Sequence, residues 1–183
     1  MNIKKRIVSG LLIFLLLASV FVVYEIDSRY TFSEIVESGD LSNLRLTIYF
    51  MYLDKLTTWP SSINELKSFR CDRRIVVRSG DLEKHIDLLE KLNKEPLIPY
   101  KQASYLECRI YYVFTTKLGH KLYDVAIWGY DGKAWNIYVN GAFVKDSDIF
   151  YDVILPFLPQ DAADLLRAVT AELRQKMLEQ NDP

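Results

Sequence analysis

The hydrophobic positions of this chain form one long unbroken run and then fall into periods of 2 and 3.6. Residues 7–24 are the run, interrupted only by Ser9, Gly10 and Ser19. Eighteen residues of helix would span about 27 Å, close to the thickness of a bilayer's hydrocarbon core. Thr31-Phe32-Ser33-Glu34 then fits a capping box and predicts a short helix to about Ser38, ended by Gly39. From Leu44 the period drops to two. Leu44, Leu46, Ile48 and Phe50 alternate with Arg45, Thr47, Tyr49 and Met51, which predicts a strand over 44–52. A helix over 41–56 is the rival reading.

Pro60 marks a turn, and Ser62 with Glu65 forms a second capping box that opens a short helix over 63–69. Ile75-Val76-Val77 predicts a strand within 73–79. After Gly80, Asp81 is expected to cap an amphipathic helix with Leu82, Ile86 and Leu89 on one stripe. Pro96 and Pro99 then hold the chain extended.

Residues 105–145 read as a meander of three or four strands. Leu106, Cys108, Ile110, Tyr112 and Phe114 share one face of the first, and Glu107, Arg109 and Thr115 the other. Tyr123, Val125 and Ile127 share one face of the next, opposite Leu122, Asp124 and Ala126. Asn140-Gly141 predicts a type I′ hairpin, because both turn positions need positive φ. Its two-residue loop pairs Val139 with Ala142 and Ile137 with Val144, and puts those four on one buried face. Past 146–148, residues 149–158 are nearly all apolar, but Pro156 limits them to a short helical turn. Asp161 is expected to cap a last helix to about Glu179.

The pattern therefore predicts an α+β chain. An N-terminal transmembrane helix precedes one domain, in which an antiparallel meander sheet packs against two or three helices. Residues 1–6 would be a cytoplasmic tail, 7–24 the anchor and 25–183 an extracytoplasmic domain.

Charge supports this orientation. Lys4, Lys5 and Arg6 precede the apolar run, and Glu25 and Asp27 follow it, as expected for a cytoplasmic N-terminus. A cleaved signal peptide and a secreted product are the alternative. Cleavage wants small residues two apart, whereas Ala18 and Ser19 are adjacent and bulky residues follow. The lipid bilayer is thus the first expected partner. The net charge of −1 gives no sign of the basic face that nucleic acid would need.

Cys71 and Cys108 would lie in an oxidising compartment, where a disulfide is possible. It would close a loop of nearly forty residues and contribute about 4 kcal/mol. The bland alternative is two unrelated thiols.

Chemistry is sparse. His85 and His120 each read as exposed residues. Glu107 and Asp124 lie on adjacent predicted strands and could pair as acid and base, but a solvated face with Glu107 beside Arg109 is the simpler reading. Asp146, Ser147 and Asp148 lack the remainder of a calcium loop. No G-x-S-x-G, H-E-x-x-H, C-x-x-C or phosphate-cradling glycine loop occurs. No cofactor and no metal is expected.

Residues 105–145 hold ten of the chain's 24 aromatic residues (12 Tyr, 9 Phe, 3 Trp). Trp128, Tyr130, Trp135, Tyr138 and Phe143 form the candidate interaction surface, since Trp and Tyr bury much area while keeping a polar tip. The expected function is a membrane-anchored binding module without catalysis, with an envelope protein as partner. A toxin-neutralising immunity protein is one variant. An enzyme whose carboxylates meet only in the fold is the alternative of another class.

Overall fold

The longest strand, β3 (Cys108–Thr116), lies inside a six-stranded antiparallel sheet with strand order β2-β1-β3-β4-β5-β6. The others are β1 (Leu44–Phe50), β2 (Arg73–Arg78), β4 (Lys121–Trp128), β5 (Asn136–Val139) and β6 (Ala142–Val144). This computed structural model describes residues 12–17, 29–54, 60–100, 107–128 and 135–181.

The alternation of β1 decides which way the sheet faces. Leu44, Leu46, Ile48 and Phe50 are fully buried and meet Thr116, Phe114, Tyr112 and Ile110 across the β1–β3 pair. Tyr123, Val125 and Ile127 of β4 and Ile137 and Val139 of β5 extend the same apolar layer. Helices cover it: α1 (Phe32–Ser38), α4 (Ile86–Lys94), α5 (Ile149–Asp152) and α6 (Gln160–Asn181) all contribute to this core. Each large side chain withdrawn from water stabilises the fold by about 1.5–3 kcal/mol.

Local signals held where one residue's chemistry suffices. Thr31 and Glu34 form the reciprocal capping box of α1, and Gly39 ends it at φ 71°. Val139 pairs with Ala142 and Ile137 with Val144. Asn140 and Gly141 take φ of 47° and 97°.

Several expectations are corrected. Ala142 is exposed, whereas Val144, on the same face of that strand, is buried. Cys108 does not share a face with Ile110, since a register shift falls between them; an inserted residue sends the preceding side chain to the opposite face. The helix after β2 starts at Ser79, before Asp81, as α3 (Ser79–Leu82). Asp81 sits in its first turn, bonded by Lys84 at 2.8 Å. The second capping box opens α2 (Ile63–Glu65), which widens into a π turn, Leu66–Arg70. The last helix begins at Gln160, and Asp161 accepts the Tyr52 hydroxyl at 2.5 Å.

The transmembrane helix expected over 7–24 is unsupported. Residues 12–17 are helical with exposed side chains, and the remainder of the run lies outside the described residues. Among the described residues, no helix is long and apolar enough to cross a membrane.

Candidate functional site on the outer face of the sheet

The sheet's second face is not a solvated one. Met51, Tyr111, Val113, Ala126 and Cys108 are buried there, and the segment 60–71 lies against them. Leu66 inserts from the π turn, Lys67 stands 5.5 Å over the Tyr111 ring, and the Cys108 amide donates to the Ser61 carbonyl at 2.8 Å.

This cover buries charge. Glu107 and Arg109 form an ion pair at 2.5 Å with side chains only 11% and 14% exposed. Ser61 donates to Glu107 at 3.1 Å and accepts from Arg70 at 3.1 Å, while Arg109 also donates to the Tyr52 carbonyl. Asp124 does not join Glu107. It lies opposite Val113, several residues along β4, and accepts from Tyr111 at 3.2 Å and Lys121 at 2.9 Å. Burial pushes the Tyr111 hydroxyl well above the ordinary tyrosine range, and Asp124 adds to it. Asp124 and Asn140 exchange bonds with each other's chain segments, so this group pins the Asn140-Gly141 hairpin to β4.

The predicted aromatic surface divides. Trp128, Tyr138 and Phe143 are half-buried on the outer face, with Phe143 5.1 Å from Tyr138 and 6.5 Å from Trp128. Trp135 is buried in the main core instead, because it precedes β5 and turns under the helices. Tyr130 lies outside the described residues. Within the strip, the Trp128 indole N–H and the Asn136 carbonyl oxygen are buried without a hydrogen-bond partner among the described residues, on residues directly opposite each other in the β4–β5 pair.

Cys71 and Cys108 are free thiols. The Asp72 amide donates to Phe50 and the Met51 amide to Arg109, so the two cysteines approach from opposite sides of the β1 chain. Burial drives the Cys108 thiol strongly upward, away from thiolate chemistry.

A group of cations completes the face, and the sequence reading passed over it. Arg45 and Arg78 are directly opposite each other, both exposed. Arg74, four residues from Arg78 along β2, stacks at 5.7 Å on Tyr49. Among the described residues, none of the three makes an ion pair. The signal was the alternation Arg74-Val76-Arg78, readable as polar spacing but not as a cluster until β1 brings Arg45 beside it.

Concave sites among the described residues lie elsewhere. A groove of about 630 Å³ borders α1, but its Glu34 and Asp40 carboxylates already bond Thr31 and Ser42 as caps. A smaller cavity of about 150 Å³ lies between Trp135, Asp146, Asp148, Tyr151 and Arg174. Tyr151 donates to Asp146 at 2.8 Å, and Arg174 pairs with Asp148. Burial raises the Asp146 carboxyl above the usual Asp range, outweighing the Tyr151 bond that lowers it. Asp146 therefore holds its proton more tightly folded than unfolded, and stability falls as pH rises from the ordinary Asp range through the raised value. Asp146→Asn keeps an oxygen for Tyr151 and should remove that fall. Urea midpoints between pH 3.5 and 7 check this, and parallel curves for the two proteins would refute it. Among the described residues, no group of three His, Cys, Asp or Glu is arranged to hold a metal.

Comparison with models of known protein families, with curated proteins and with solved structures returned no match.

Proposed function

We propose that this chain is a membrane-anchored, extracytoplasmic binding module whose working surface is the outer face of the sheet. The observation that carries the reading is the set of exposed arginines, Arg45, Arg74 and Arg78, that form no salt bridge among the described residues, around Tyr49 and the half-exposed Val76. Like charges directly across a strand pair cost stability, and the acid near Arg78, Asp81, is already bonded by Lys84. An anionic partner would offset that cost. The half-buried Trp128, Tyr138 and Phe143 add an apolar patch on the same side of the sheet. The anchor is the apolar run 7–24 with its basic flank, and an envelope protein is the partner class that the position favours. An immunity-type role is one form of this function.

The test is photo-crosslinking of the full chain in its native membranes. Val76→p-benzoylphenylalanine, on the outer face, should give a discrete adduct. The same probe at Asp87, exposed on α4, should give none. Absence of any adduct above background from Val76 would count decisively against a binding surface here. Mass spectrometry of the mature N-terminus separates an anchored from a cleaved form.

A second reading has one observation in its favour. Asp146, with its raised affinity for a proton, sits in a concave site beside Tyr151 and Arg174, the kind of setting that enzymes use for acid–base work. Against it, the cavity holds only about five water volumes at ~30 Å³ each, and each carboxylate is already engaged within the chain.

A further inference from the structure

We propose that the outer edge and face of β2 form a docking strip for an acidic polypeptide segment in extended conformation. This rests on the reading of the chain as a binding module and names its ligand. β2 ends the strand order and pairs only with β1. Among the described residues nothing pairs with its other edge, so that edge presents a line of free N–H and C=O groups.

Charged side chains on an edge strand also serve to discourage aggregation. That role does not explain Arg45, which is on β1, a strand paired on both sides. Nor does it explain why Arg45 faces Arg78, an arrangement that opposes folding. Asp81 is close enough to feel the Arg78 charge, but its carboxylate is bonded by Lys84. The spacing identifies the ligand. Arg74 and Arg78 flank Val76, which is 47% exposed. Side chains on one face of a strand repeat every ~6.7 Å. Arg74 and Arg78, four residues apart, recur at twice that interval, so every second carboxylate of an added strand with acids at alternate positions runs alongside a guanidinium group while its backbone completes the free edge. Arginine's planar fork suits carboxylates in this bidentate way. Nucleic acids and anionic lipids share the charge but have no backbone amides to pair with an edge.

The test uses the purified full chain in detergent micelles and a fluorescein-labelled eight-residue peptide that alternates Glu with Val or Thr. Anisotropy should show saturable binding that weakens with salt. N-methylation of alternate peptide amides, which blocks strand pairing, should weaken binding at least tenfold. The double variant R74E/R78E should also weaken it at least tenfold. R78E alone should melt no lower than wild type, because it faces Arg45 with an opposite charge; loss of binding is then not loss of fold. Equal binding of the N-methylated peptide, no effect of R74E/R78E, or tighter binding to a single-stranded oligonucleotide or to phosphatidylglycerol vesicles would overturn the proposal. Failure of the peptide beside a successful Val76 crosslink removes this ligand and leaves the binding module. Failure of both removes both.

Discussion

Phe114→Ala should lower the stability of the chain by about 3–5 kcal/mol, read as a drop in urea midpoint at unchanged slope. Phe114 is fully buried on the central strand. It pairs with Leu46 on one side and Tyr123 on the other. Its ring lies 4.9 Å from Phe32, 6.2 Å from Tyr112 and 6.5 Å from Tyr123. Through Phe32 it ties α1 to the sheet, so removing the ring opens a cavity bordered by three strands and a helix. Neighbours on paired strands cannot collapse into that space without breaking ladder bonds, which puts the cost toward the upper end. Natural domains are stable by about 5–15 kcal/mol, so this one change consumes a large share. Phe114→Leu, which refills most of the volume, should recover more than half of the loss. A loss below about 1 kcal/mol for the alanine variant would mean that the aromatic layer is not packed as described.

Arg109→Leu should cost about 3 kcal/mol, the low end for breaking a buried pair. It removes the partner of Glu107 and a donor to the Tyr52 carbonyl. Glu107 would then hold its charge in a site only 11% exposed without the cation that balances it there. The double variant Glu107→Leu/Arg109→Leu should regain at least half of that loss, because desolvating two charges offsets much of what their attraction returns. A thermal or urea double-mutant cycle measures the coupling. Additive losses would show that the two side chains act independently and that the segment over them is not closed.

The same pair marks a boundary in what sequence reading could reach. Glu107 and Arg109 are two residues apart, so their nearness is readable from the sequence. That they are buried is not, because the cover is 60–71, which meets them through Ser61, 46 residues away. A polar pair reads as solvated until something is known to lie over it. The transmembrane reading differs in kind: an apolar run is a strong local signal, but the described residues carry only 12–17 of it. At the candidate site, Trp128, Tyr138 and Phe143 were legible as aromatic enrichment. The arginines were not, because Arg45 and Arg78 are 33 residues apart and meet only through the β1–β2 register. Cys108 was assigned to the wrong face for a related reason: a register shift leaves no mark in composition.

By itself, the sequence determined the elements and their local geometry. The capping boxes at Thr31 and Ser62, the apolar alternation of β1, and the strand register across Asn140-Gly141 all follow from interactions within a few residues, and these appear as expected. Only the tertiary structure decided what each face meets. It put Trp135 in the core and Trp128 at the surface, closed 60–71 over Glu107 and Arg109, and set Arg45 against Arg78. Periodicity tells which side of an element is apolar; it carries no information about which distant segment will lie against that side, and the surface left for a partner depends on that.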